Sequence, residues 1–216
     1  MTSPRLIAIV LCLVLGGAPV FALTPQGEAA PETPAATEGA APAESEAPAT
    51  PAAPAAEGVD APLPPILRSE ADLPTPVRAT REALMEAARS GDMEELRALM
   101  TAQPVPPSVS FGDPGDPIEY LMSLSGDAEG REILAILLEV LESGFSRVSA
   151  GTPDEIYVWP YFAQYPLEAL TPGQIVEMFT LLTAADYEDM KSYGSYTFFR
   201  VGIAPDGRWL FFVAGD

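Results

Sequence analysis

The side chains best suited to contact chemistry crowd the last third of this chain. Fourteen of its eighteen aromatic residues lie between Tyr157 and Phe212. One group is Tyr157, Trp159, Tyr161, Phe162 and Tyr165; a second is Tyr187, Tyr193 and Tyr196; a third surrounds Trp209. Aromatics at this density either line a groove for sugar rings or an extended peptide, or they fill a core. Trp159, Phe162, Phe179, Phe199, Trp209 and Phe211 are assigned to the core. Tyrosine keeps a polar tip, so Tyr161, Tyr165, Tyr187 and Tyr193 are the candidate ligand-binding residues. Arg200 and Arg208 join them. On a terminal hairpin beside Tyr196, Phe198 and Phe212 they would form a cationic strip able to receive a carboxylate. Cation–π stacking and protection of a sheet edge account for the same arginines.

Acid–base and metal chemistry find less support. Asp186, Glu188 and Asp189 flank Tyr187 and precede Lys191, and paired carboxylates can act on a glycosidic bond or hold calcium. Their spacing fits neither pattern, and a solvated turn with helix caps explains them. Asp113-Pro114-Gly115-Asp116 is equally short of calcium ligands. The chain has no histidine. This excludes Ser-His-Asp and Cys-His arrangements and histidine-ligated zinc. There is no glycine-rich phosphate loop, and Ala204-Pro205-Asp206-Gly207 is simply a turn. No catalytic residue, metal ligand or cofactor is therefore assigned.

The elements that must position these residues follow from capping and periodicity. Arg81 to Met100 reads as two helices meeting at Ser90-Gly91, with Asp92 and Glu95 as a capping box for the second. Asp116-Pro117-Ile118-Glu119 opens a third helix. Arg131 to Ser143 reads as a strongly apolar helix, the expected centre of the core, with Gly144 as its stop. The two pairs resemble degenerate ankyrin-type helix hairpins, but the Thr-Pro-Leu-His element is missing and two units are too few for a solenoid; generic helix-pair packing is expected. Thr152-Pro153-Asp154-Glu155 and Thr171-Pro172-Gly173-Gln174 repeat the cap pattern. The first precedes Ile156–Trp159, a short segment stopped by Pro160; the second opens a helix through about Thr183. Ser146 to Ala150 is too short and polar to read as a strand. The chain ends in a hairpin whose type I turn at Pro205-Asp206-Gly207 pairs Ala204 with Arg208. Regular alternation from that pair puts Phe199, Val201, Ile203, Trp209, Phe211 and Val213 on one apolar face. The opposite face carries Phe198, Arg200, Gly202, Arg208, Leu210 and Phe212.

Residues 1–22 read as a signal peptide: Arg5, an apolar run from Leu6 to Leu15, helix breakers, and Val20-Phe21-Ala22 as the cleavage site. Cys12, the sole cysteine, lies within the apolar run, so the mature chain has no disulfide. Residues 23–65 carry seven acids and no base; lacking aromatics, this Ala/Pro/Glu-rich stretch is expected to be disordered. Residues 66–216 are expected to form one globular domain, large enough to fold without staples. The chain's net charge is −20, which argues against nucleic acid and anionic lipid as partners.

Val158-Trp159-Pro160-Tyr161-Phe162-Ala163, Leu170-Thr171-Pro172-Gly173-Gln174, Ala185-Asp186-Tyr187-Glu188-Asp189-Met190 and the stretch from Gly202 to Asp216 resemble the C-terminal region of exported alphaproteobacterial proteins of unknown function. The resemblance covers about the last 65 residues. It implies a bacterial envelope setting and supplies no activity.

The reading is an α+β domain, mainly helical, with two helix pairs, a further helix and a C-terminal antiparallel hairpin packed on the helices. The function expected is a non-catalytic envelope module that binds an envelope protein or peptidoglycan. It would be periplasmic or secreted with no membrane span if the leader is cleaved, and inner-membrane anchored if it is not. The alternative is a carboxylate-dependent hydrolase or lyase acting on cell-wall glycan, with Asp186, Glu188 or Asp189 as acid or base.

Overall fold

The computed structural model describes residues 63–215. The leader assigned to residues 1–22, and all of the 23–65 segment before Leu63, lie outside the described residues. Among the described residues no helix is long and apolar enough to cross a membrane.

The fold is α+β. Its helices are α1 (Thr75–Ser90), α2 (Met93–Thr101), α3 (Pro117–Ser123), α4 (Arg131–Glu142), α5 (Pro172–Met178) and α6 (Ala184–Tyr193). Its strands are β1 (Ile66–Leu67), β2 (Phe145–Val148), β3 (Ile156–Trp159), β4 (Arg200–Ile203) and β5 (Trp209–Val213), antiparallel in the order β1-β2-β3-β4-β5.

Local chemistry explains the helix ends. Gly91 closes α1 in the left-handed conformation at φ 72°, which glycine adopts without a Cβ clash. Asp92 caps α2 by accepting from the Glu94 amide, and Asp116 caps α3 by accepting from those of Ile118 and Glu119. Full capping boxes open α5 (Thr171 with Gln174) and α6 (Thr183 with Asp186). α5 stops at Met178, short of the predicted end, because Thr183 starts a new helix. Thr152–Glu155 opens no helix. It is a turn whose Glu155 carboxylate accepts from the Gly151 amide, and it delivers the chain into β3.

Three segments that the sequence leaves outside the sheet belong to it, and Ile156–Trp159 is one of them, as β3. Phe145–Val148 is a strand between β1 and β3. Its polarity is resolved locally: the Arg147 guanidinium closes a two-pronged pair on Glu155, at 2.9 and 2.7 Å. Ile66–Leu67 adds the short edge strand β1.

The hairpin turn forms as its residues dictate. The Ala204 amide donates to the Arg208 carbonyl at 2.9 Å, and Gly207 sits at φ 91°. Beyond that pair the register shifts. Ile203 pairs with Trp209, but Gly202 pairs with Phe211 and Val201 with Phe212, so Leu210 is the extra residue of a bulge. The bulge reverses the faces after Leu210. Val201, Ile203, Trp209 and Phe212 therefore share one core with side chains of α1, α2, α3 and α4, while Phe211 and Val213 join Ile156 and Val158 in a small cluster of their own.

A second sizeable core is built by the C-terminal segments. Tyr161, Phe162, Leu167, Leu170, Met178, Leu181, Leu182, Tyr187, Met190 and Tyr196 pack together, with Ile66 against them. Phe198 packs against both large cores.

Candidate functional site

Two of the sequence-selected tyrosines meet where the chain enters the fold. β3 runs through Pro160 into a 3-10 turn at Tyr161–Gln164, and this turn carries Tyr161 inward until the residue is fully buried. The Tyr165 ring stands edge-on to it at 5.4 Å. The Tyr161 hydroxyl donates to Glu177 Oε2 of α5 at 3.0 Å, and Arg68 Nη2 reaches the same oxygen at 2.7 Å. The Arg68 guanidinium lies 5.4 Å from the centroid of the Tyr161 ring, so one cation serves both the carboxylate and the aromatic face. The Tyr165 hydroxyl donates to the Pro64 carbonyl. Burial, and then the bond to Glu177, hold the Tyr161 phenol well above the ordinary tyrosine range, and burial raises Tyr165 too. Both phenols are therefore fixed hydrogen-bond donors at neutral pH. This cluster fastens the entering chain to the domain.

The other sequence-selected residues lie elsewhere. Tyr187 is buried against the Phe179 ring, edge to face at 5.6 Å, with Lys191 Nζ 5.4 Å from its centroid. Tyr193 is 64% exposed at the end of α6. Arg200 is buried; its Nη2 donates to the Gly215 carbonyl at 2.7 Å and its guanidinium lies 5.6 Å from the Phe111 ring centroid. Arg208 is exposed and bonds Asp206 Oδ2 at 2.8 Å. Arg200 pairs with Val213 at the open end of the hairpin, whereas Arg208 sits at its turn. Four residues of strand separate them, about 13 Å. The structure does not bring them together as a strip.

The acidic trio is also dispersed by role. Asp186 Oδ2 accepts from the Thr183 amide at 2.8 Å and the Thr183 hydroxyl at 2.6 Å, and these bonds lower its carboxyl below the usual range. Glu188 pairs with Lys191 at 3.3 Å. Asp189 is exposed. At the depression bordered by Gly126, Asp127, Glu129, Arg131 and Glu132, the Asp127 carboxylate is likewise committed to nearby backbone. Asp127 accepts from the amides of Glu132, Arg131 and Glu129 and from the Ser125 hydroxyl, which hold its carboxyl far below the usual range. Among the described residues, no three His, Cys, Asp or Glu side chains are grouped to hold a metal ion.

Sequence reasoning missed Arg68, Glu177, Val176 and Phe179. Arg68 had a signal: it is the first basic residue after Arg5, at the point where composition changes. Val176 and Phe179 are spaced i, i+3 on α5 and its C-cap, and are 68% and 43% exposed. The assignment of Phe179 to the core is thereby corrected: its ring packs on Tyr187 from the surface side. No family model, curated protein or solved structure matches this chain.

Proposed function

We propose that this is an exported, non-catalytic envelope module that binds an envelope protein or peptidoglycan through exposed apolar and aromatic side chains of its C-terminal half. It acts in the periplasm or outside the cell, or at the inner membrane if the leader is retained. The resemblance to exported alphaproteobacterial proteins agrees with that setting.

The observation that carries the reading is the surface of α5 and α6. Val176, Phe179 and Tyr193 stand in solvent there. Phe179 is braced by Tyr187, which is packed in the second core and carries Lys191 over its ring. Large side chains held at low entropic cost are the usual anchors of a binding face. The glycan hydrolase alternative needs two carboxylates free to act across a substrate. Asp186 is committed to a cap and Glu188 to an ion pair, so no observation favours it.

Co-sedimentation of the full chain with purified peptidoglycan tests the cell-wall version. Retention that falls severalfold in a Phe179→Ala/Tyr193→Ala variant, with an unchanged melting curve, is the expected result. No retention of the wild type removes peptidoglycan and leaves a protein partner, to be sought by crosslinking at Tyr193. Retention unaffected by the double substitution removes α5 and α6 as the binding surface.

A further inference from the structure

The sheet has two apolar faces, and the helices account for one. Tyr157, Trp159, Val201, Ile203 and Phe212 pack on side chains of α1 to α4. On the other face Ile156, Val158, Phe211 and Val213 are buried, with Val148, Leu210 and Ala163 partly buried against them. Among the described residues, this second cluster draws its side chains from β2, β3, β5 and the turn after β3, and none from α1 to α6. Val158 is nevertheless only 1% exposed and Val213 only 3%. Side chains on a bare sheet face would meet water, so burial this deep takes a covering layer. Arg200, which pairs with Val213, stands at one end of this face and bonds the Gly215 carbonyl. The neighbouring strand positions, Ser146 and Gly202 opposite Val158, carry no charge.

The chain enters the fold beside this face. The Tyr165 hydroxyl holds the Pro64 carbonyl, and Ala163, two residues before Tyr165, packs against the cluster. Upstream, residues 47–56 read Ala-Pro-Ala-Thr-Pro-Ala-Ala-Pro-Ala-Ala, an uncharged run of ten; no other uncharged run between residues 23 and 62 exceeds five. Pro48, Pro51 and Pro54 recur at every third residue. A polyproline II helix has three residues per turn, so the three rings share one side of it. Such a helix is already extended and docks on apolar and aromatic surfaces at little entropic cost. Residues 57–62 connect the run to Leu63 and reach about 20 Å when extended. The whole sheet, five strands at the usual spacing, is only about 19 Å across.

We propose that residues 47–56 of this chain dock as a polyproline II helix on the sheet face opposite α1 to α4, with Pro48, Pro51 and Pro54 against Val158, Phe211 and Val213. An uncharged face takes the longest uncharged run, and the acids on either side of that run, Glu44, Glu46, Glu57 and Asp60, stay in solvent. The occupant comes from the same chain. A chain of net charge −20 repels its own copies, whereas the 47–56 run is tethered beside the face through Pro64 and meets it at high effective concentration. The inference goes beyond the binding role of α5 and α6 and does not depend on it.

Paramagnetic relaxation in the full chain tests it. The nitroxide is attached at Ala53→Cys in a Cys12→Ser background, on a side of the helix that the prolines do not occupy. It should weaken the amide signals of Val158 and Val213 severalfold more than those of α2, which packs behind the sheet. Adding Pro51→Glu should restore the Val158 and Val213 signals, since a charge cannot enter this face without a partner. In a mixture, nitroxide-bearing chain without isotope label should leave the signals of isotope-labelled chain without nitroxide intact. Three results overturn the proposal: Val158 and Val213 weakened no more than α2, a loss that survives Pro51→Glu, or a loss in the mixture, which would make a second copy the occupant.

Discussion

The Phe211 ring lies across Gly202 on the neighbouring strand, so closely that a Cβ built on Gly202 would sit 2.3 Å from the ring. The glycine leaves the space, and the ring fills it from the paired strand. Such a pair compensates a weak strand former by covering its backbone. Gly202→Ala should cost about 1–3 kcal/mol through overpacking. Phe211→Leu should cost less when Ala already stands at 202 than when Gly does. Urea midpoints of the two single variants and the double variant measure the coupling. Simple additivity would show that the ring moves aside freely.

Acid should weaken the β2–β3 hairpin through one carboxylate. Hydrogen bonds from Arg147, then from the Gly151 amide, lower the Glu155 carboxyl from an ordinary 4.5 to about 2. A lowered folded value stabilises the native state above the unfolded value; the contribution is lost as pH falls from about 4.5 through about 2. Glu155→Gln removes it at every pH. The difference in urea midpoint between wild type and Glu155→Gln should be flat near neutrality and shrink between about pH 5 and pH 2. A difference that stays constant down to pH 2 would assign the loss to shape alone.

Removing a hydroxyl should strengthen the sheet. Ser146 is fully buried in β2, and its Oγ has no hydrogen-bond partner. An unsatisfied buried hydroxyl costs roughly 1–3 kcal/mol. Ser146→Ala should therefore be neutral or stabilising by up to about 1 kcal/mol, a gain read as a higher melting temperature. A clear loss of stability would reveal a partner for this group.

Arg81 should be intolerant for the opposite reason. Its Nε donates to the Leu141 carbonyl at the end of α4, at 2.9 Å, and its Nη1 to Glu70 Oε1 at 2.8 Å. One buried cation thus ties α1 to the last turn of α4 and to the chain entering α1. Arg81→Met fills similar volume but strands that carbonyl, and should cost about 2 kcal/mol. Arg81→Lys should recover part of it. Denaturant titration of the three proteins separates the outcomes, and an Arg81→Met protein as stable as wild type would refute the assignment.

The helices were legible in the sequence because their ends are chemical. Asp116-Pro117 and Thr171-Pro172-Gly173-Gln174 announce caps whatever the tertiary context, and the apolar stripe of α4 identifies a core helix. Thr183-Ala184-Ala185-Asp186 is the same signal, and reading it as a cap would have placed both the break after α5 and the role of Asp186. The strands were less legible. β1 has two residues and β2 four, too few to show alternation. In Trp209–Val213 every residue is apolar, so nothing in the pattern marks the bulge at Leu210 that reverses the faces. Tyr161 was placed at the surface on residue type. Its burial depends on the turn after β3, a tertiary fact that no local pattern carries.

β1 also fixes an order of events. Ile66 faces the C-terminal core and Leu67 the helical one, and their partners Ser146 and Phe145 lie about 80 residues downstream. The chain is synthesised from its N-terminus, so β1 must wait for about half of the described residues before it has a strand to pair with. The four N-terminal helices can assemble meanwhile. Among the described residues, the first strand can thus pair only once α1 to α4 have been made, although it precedes them all in sequence.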